Sequence, residues 1–317
     1  MIYSKERKAS GGGRRQTRNG TVVVLLIVTA IAAVVAVGLL GVFDAFPFGV
    51  NRRDAALVSA WSQGDYAQVI ESAEETLSAH PLDGQALTYG GFAHFYRGVD
   101  LVDADEREAD ISRAIVLLRK ASHLSRAPLP AQRDYVLGKA YYHSGPLYAD
   151  VAAQHLEQSI AEGYEASDSL QYLGLAYATL GQYEASAERF VEAVQQTEDW
   201  QAGESLRINA AESLIALEDY DQAKGYLEEV IDRTTDPYIA LIARNLLTSV
   251  LILNDELEAA EDLVTETIED YPLSADAYYY LGIVYDLTDR EVEARAMWRQ
   301  ARDIDPDHIG AQQRLAY

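Results

Sequence analysis

Three patterns of apolar and polar residues follow one another along the chain. Residues 1–20 have no apolar period: Lys5, Arg7, Lys8, Arg14, Arg15 and Arg18 stand against the single acid Glu6, around Gly11, Gly12 and Gly13. Such a segment reads as a flexible basic tail. Thr21 to Val42 then passes without a charge for twenty-two residues, fourteen of them Val, Leu or Ile. As a helix this stretch is about 33 Å long, close to the hydrocarbon thickness of a bilayer. The run exceeds the apolar part of a cleaved signal peptide, and its exit, GVFDAFPFGV, has no clean Ala-x-Ala site. The pattern predicts an uncleaved transmembrane signal anchor over residues 21–43. The basic flank places the N-terminus in the cytoplasm, and Phe46 and Phe48 in the linker 44–49 suit the membrane interface. Everything downstream then lies across the membrane, which in a bacterium is the periplasm or the cell exterior.

Beyond residue 50 the pattern repeats. The clearest copy, DSLQYLGLAYATLGQYEASAERFVEAV from Asp168 to Val194, sets Leu173-Gly174-x-x-Tyr177 before Gly181-x-Tyr183, Phe190 and Ala193. Near the C-terminus Leu281-Gly282-x-x-Tyr285 precedes Ala294, Trp298, Ala301 and Asp305-Pro306. Aligning on the small residue gives Leu57, Gly91, Gly138, Gly174, Ala211, Thr248 and Gly282, at steps of 34, 47, 36, 37, 37 and 34. Tyr66, Tyr183 and Tyr220 share a second register position, and Pro81, Pro272 and Pro306 a third.

These residues resemble the tetratricopeptide repeat, a 34-residue unit of two antiparallel helices. The likeness covers the chain from about residue 50 to its end. It implies an all-α fold, a right-handed α-solenoid of about seven helix pairs over residues 50–317, preceded by the one membrane helix and closed by a capping helix within Asp307 to Tyr317. Small residues let paired helices approach closely, and no unit buries its apolar face without a neighbour. The departures are specific. Leu57 replaces a small residue, Gly98 to Asp110 reads as a long insertion that explains the step of 47, Pro146 adds residues to a turn, and Glu291 replaces an aromatic.

In that family the first helix of each unit lines a concave groove. Carried over by register, the groove candidates are Phe92, Phe95 and Tyr96 in the second unit and Tyr135, Lys139, Tyr142 and His143 in the third. The fourth unit offers Asp168 and Gln171, the sixth Asn245 and the seventh Tyr279. The aromatic half of this set suits an extended peptide or a partner helix, or else packs units together. The Lys, Asn and Arg set with which some relatives grip a C-terminal carboxylate is not visible.

Charge narrows the partners. The chain has 317 residues with 26 basic and 50 acidic side chains, a net -24, and after the tail the balance is 20 basic to 49 acidic. This argues against nucleic acid and leaves protein or peptide ligands, basic ones included. Zero cysteine excludes disulfides, thiolate metal sites and a cysteine nucleophile. The six histidines show no zinc-site spacing, and no nucleophile elbow, phosphate loop or dinucleotide fingerprint occurs. Asp103, Asp105, Glu106, Glu108 and Asp110 lack the glycine and spacing of a calcium loop. No catalytic residue, metal or cofactor is expected. The leading expectation is a non-enzymatic scaffold on the bacterial inner membrane that binds envelope or secreted clients. The alternatives are a mitochondrial-type import receptor with cytosolic repeats, or a self-associating spacer. Oligomeric state stays open.

Overall fold

The computed structural model describes residues 52–164 and 166–316. The tail, the predicted anchor 21–43 and the linker 44–49 lie outside them. Among the described residues no helix is long and apolar enough to cross a membrane.

Fifteen α-helices succeed one another, with no strand among the described residues. They fall into seven pairs. The first is α1 (Arg52–Ser62) with α2 (Tyr66–Ala79), the second α3 (Gly84–Asp100) with α4 (Ala104–Ser122), and the third α5 (Pro130–His143) with α6 (Ala149–Ala161). Then come α7 (Ser169–Thr179) with α8 (Tyr183–Gln196), α9 (Trp200–Ala216) with α10 (Tyr220–Arg233), and α11 (Pro237–Leu253) with α12 (Leu257–Asp270). The last pair, α13 (Ala275–Leu287) with α14 (Glu291–Ile304), is followed by the short α15 (Ile309–Ala316). From α2 onward each helix packs on the next, and the first helices α3, α5, α7, α9, α11 and α13 also touch in that order. The first helices therefore form one continuous face.

Sequence explains these boundaries. Asp65, Asp83, Asp103, Asp199, Asp219 and Asp236 each cap a helix by accepting a backbone N–H. Part of the acidity is thus structural. Pro130 and Pro237 open helices, where a missing N–H is harmless. Pro146 starts the 3-10 turn Pro146–Tyr148 that lengthens the third unit's turn. Between paired helices the backbone turns through a left-handed residue: Gly64 and Gly181 in two units, but Glu218, Asp255 and Asp289 in three others.

The small register positions are close approaches. A Cβ on Gly138 would stand 2.6 Å from Leu156 Cγ, and one on Gly91 2.5 Å from Leu118 Cδ2. Leu57, by contrast, fills its place as a buried side chain. The segment Gly98–Asp110 corrects the reading as an inserted loop. Only residues 101–103 lie outside helix there; α3 and α4 extend to 17 and 19 residues and absorb the added length. Four of the five acids named in that segment are likewise accounted for. Asp103 caps α4, Asp105 and Glu106 sit in its first turn, and Asp110 is buried.

Candidate functional site

Tyr135, Lys139 and His143 are spaced by four on α5 and so form one stripe. On one side stand Phe92, Phe95 and Tyr96 of α3; on the other Asp168, just before α7, and Tyr172 within it. Lys139 is buried at 7% exposure. Its Nζ donates to Asp168 Oδ2 at 2.7 Å and to Tyr135 Oη at 3.0 Å. Tyr135 Oη in turn donates to Asp168 Oδ1 at 2.5 Å. Three rings surround the ammonium, with centroids at 4.5 Å for Tyr172, 5.0 Å for Tyr135 and 5.7 Å for Phe95. A buried cation needs a counter-charge, and here a carboxylate, a phenol and ring faces supply it together.

An aromatic seam continues outward from the cage. Tyr96 meets Phe95 at 5.3 Å and stacks on Tyr66 at 5.7 Å, and Trp61 reaches Tyr89, Phe92 and Tyr96. On the far side His143 Nε2 is 3.1 Å from Tyr172 Oη, and Tyr142 packs edge-on to Tyr172 at 5.4 Å. The seam thus joins the first four units. Burial pushes the phenols of Tyr96 and Tyr172 up to about 12, with nearby acidic groups adding to it. Tyr135 is raised further by burial and by its bond to Asp168. His143, though its side chain reaches solvent, is lowered by partial desolvation among its neighbours and by the charges of Lys139 and Arg107. At neutral pH all three phenols are therefore uncharged.

Exposure sorts the sequence candidates. Phe92 at 3%, Phe95 at 0%, Tyr135 at 5% and Lys139 at 7% are committed to packing between units. Tyr96, Tyr142 and Tyr172 are half-buried, and His143 is exposed. Seven of the nine candidates thus form one cluster, whose accessible rim is Tyr96, Tyr142 and His143 joined by Tyr172. The other two lie elsewhere. Asn245 is buried on α11, and its Oδ1 has no partner among the described residues. Tyr279 on α13 is half-buried against the capping helix, its ring 5.0 Å from that of His308. Tyr172 was not among the register candidates. Asp168 was, but its pairing with Lys139 across one repeat was not legible from either residue alone.

A second polar cluster lies within the α3–α4 pair. Arg97 donates twice to Asp110 at 2.6 Å, and His94 Nδ1 is 2.9 Å from the same carboxylate. Burial, together with the charges of Arg97 and Arg113, holds His94 below its usual value despite its bond to Asp110. Burial would raise Asp110, but the bonds from Arg97 and His94 outweigh it and hold the carboxyl low. No group of three metal-type ligands occurs among the described residues.

Comparison with known proteins follows this geometry. Residues 253–309 and 208–233 each match a tetratricopeptide repeat model. No curated protein matches the chain. Among solved structures, the C-terminal part of a TPR repeat-containing protein from Cytophaga hutchinsonii is 14% identical with a TM-score of 0.57, covering 83% of this chain and 99% of that one. PilF from Pseudomonas aeruginosa is 17% identical with a TM-score of 0.51, covering 71% and 96%. A tetratricopeptide repeat protein from Parabacteroides merdae is 14% identical with a TM-score of 0.50, covering 84% and 98%. At these identities the likeness is one of fold. The chain carries tetratricopeptide repeats, and its helix pairs stack as a repeat solenoid of that type.

Proposed function

We propose that this protein is a membrane-anchored, non-enzymatic scaffold that holds protein clients against the face of its first helices. The observation that carries the reading is the accessible rim of Tyr96, Tyr142, Tyr172 and His143, set on three consecutive first helices above a rigid buried cage. Half-exposed tyrosines on a fixed backbone bind side chains with little loss of rotamer entropy. The fold is compatible with protein–protein interaction, and the neutral phenols favour stacking and hydrogen bonds over charge. The anchor reading rests on residues 21–43, and the bacterial inner-membrane location with extracytoplasmic repeats rests on the basic tail before them. The acidity of the repeats supports a preference for basic clients.

One observation favours the spacer reading: Phe92, Phe95 and Tyr135 are almost wholly buried, as rings that only join units would be. The test therefore avoids them, since truncating a buried ring costs about 3–5 kcal/mol and would confuse binding with folding. Tyr96→Ala, Tyr142→Ala and Tyr172→Ala are combined in the full chain. Co-purification from mild detergent is compared with wild type at equal melting temperature. Selective loss of a specific partner supports the scaffold. Identical partner recovery removes the rim from the binding surface. Protease accessibility in intact cells and sealed inverted vesicles tests the orientation and separates it from the import-receptor reading.

A further inference from the structure

Further along the face of the first helices, the register positions that build the cage change their chemistry. Those that hold Tyr135, Lys139 and Tyr142 in the third unit hold Ile208, Glu212 and Ile215 in the fifth and Asn245, Ser249 and Ile252 in the sixth. Ile208, Ile215, Ile242 and Ile252 pack in one apolar cluster, so α9 and α11 bring these two sets side by side. Lys139 reaches across one repeat to Asp168. Glu212 stands in the place of Lys139, but in the place of Asp168 the sixth unit has Ile242.

Two acceptors on this stretch are left without donors. Glu212 reaches solvent, yet its neighbours desolvate it and push its carboxyl up, and no ion-pair or hydrogen-bond partner among the described residues offsets this. Glu256 and Glu261, by contrast, are held low by their bonds to Lys224 and Arg290. Asn245 is 9% exposed, and its Oδ1 has no partner among the described residues. A buried acceptor without a donor is a standing cost to the fold. Ser249 is not such a group, since its hydroxyl donates to the carbonyl of Leu246 at 2.6 Å. The acids at the groove positions of the seventh unit, Asp276 and Asp286, already face His308 and Arg314.

We propose that α9 and α11 receive a basic residue of an extended client segment: its cation pairs with Glu212, its aliphatic stem lies along the isoleucines, and the segment's main chain donates to Asn245. The inference deepens the scaffold reading and rests on it. Charge complementarity sets the occupant. A carboxylate crowded by apolar groups gains more from a counter-ion than one in water, because attraction rises as the local dielectric falls. Glu258, Asp262 and Glu269 on α12 are exposed, and an added pair in water gains little. Arg and Lys stems cover apolar surface while their charged ends stay near water, which suits a carboxylate flanked by isoleucines. An acidic segment is repelled there, and a neutral one leaves Glu212 unpaired. The chain's own basic tail, residues 1–20, has the right sign, but under the anchor reading it lies across the membrane from the repeats.

The test uses the full chain in non-ionic detergent and two fluorescein-labelled peptides of alternating valine and serine, read by anisotropy. One carries a central arginine and the other citrulline, which has nearly the same shape and no charge. Wild type binds the arginine peptide about fivefold more tightly or better, and the preference shrinks as salt rises. Glu212→Gln binds the two alike. Asn245→Ala weakens both by the same factor and keeps the preference, since both peptides own the main-chain donor. The control Glu258→Gln/Asp262→Asn on α12 behaves as wild type. Glu212→Gln keeps the side chain's shape and removes a crowded charge, so its melting temperature is not lowered. If Asn245→Ala melts early, the Glu212→Gln comparison carries the result. Absent binding, no arginine preference in wild type, or a preference that survives Glu212→Gln overturns the proposal. A rise in affinity for the arginine peptide in Arg14→Gln/Arg15→Gln/Arg18→Gln places the chain's own tail in the site and also overturns it. The rim variant Tyr96→Ala/Tyr142→Ala/Tyr172→Ala keeps the arginine preference. Client loss in that variant, with no arginine preference in wild type, removes this site and leaves the rim; an arginine preference with every client retained removes the rim and leaves this site.

Discussion

Removing either partner of the Lys139–Asp168 pair produces unequal damage. In Asp168→Ala, the Lys139 ammonium, buried at 7% exposure, loses its carboxylate, and Tyr135 Oη loses its acceptor at 2.5 Å. Breaking a buried pair in this way costs about 3–5 kcal/mol when nothing else compensates. Three ring faces within 4.5–5.7 Å remain, worth together about 1–2 kcal/mol. The expected loss is therefore about 2–4 kcal/mol. Asp168 makes no side-chain capping bond, so no helix start is lost with it. Lys139→Met removes the cation but leaves a carboxylate whose side chain keeps 31% of its surface exposed, wet enough to stay hydrated and still bonded to Tyr135. Met also keeps the aliphatic volume, so the cost is below about 1.5 kcal/mol. The double variant Lys139→Met/Asp168→Asn recovers most of the loss caused by Asp168→Ala, since no buried charge remains. Melting followed by circular dichroism reads this as a drop of about 5–15 °C for Asp168→Ala and a few degrees for the other two. If Lys139→Met proves as harmful as Asp168→Ala, the cage is not a desolvated ion pair and the argument fails.

Other expectations follow from single positions. Gly138→Ala places a Cβ 2.6 Å from Leu156 Cγ and 3.0 Å from Ala152 O, so it destabilises by about 1–3 kcal/mol despite alanine's better helix propensity. Urea unfolding measures it, and Gly138→Ala with Leu156→Ala should interact non-additively. Glu218 holds φ 59° in a turn where other units use glycine, so Glu218→Gly stabilises by up to about 1 kcal/mol, read as a raised melting temperature. For pH, His94 has a folded pKa below its usual 6.5, so its contribution is complete above that value and is lost as pH falls through the folded pKa. Asp110 is also depressed, and its contribution disappears only at lower pH, through its own folded pKa below 3.8. Stability should fall as pH drops below about 6.5, and His94→Gln should flatten that slope while leaving the further loss at pH below 3.8.

The fold was legible because its restraints are local and repeated. Gly91, Gly138 and Gly282 mark helix contacts that tolerate no side chain, and the prolines mark where helices begin or turn. The second unit was misread because a fixed period hides a change of helix length. The step of 47 looked like a loop, while Asp103 as the cap of α4 was the residue that showed a helix starting there. Phe95, Tyr96, Tyr135, Lys139, Tyr142 and His143, chosen by register, are neighbours in the structure. It did not separate buried rings from accessible ones, because that depends on how closely α3, α5 and α7 stack. Asn245 and Tyr279 share the register but not the neighbourhood, Tyr279 because α15 packs against it.

The most direct test of the scaffold account is site-specific photo-crosslinking of the full chain in its native cells, with the photoreactive residue at Tyr142 on the rim and at Val292 on α14. Val292 is 81% exposed and lies on a second helix, so it reports accessibility without the rim. The account predicts a discrete protein adduct from position 142 that is absent from position 292 and is lost when Tyr96 and Tyr172 are changed to alanine. Equal adducts from both positions, or an adduct at 142 that survives those changes, would contradict it.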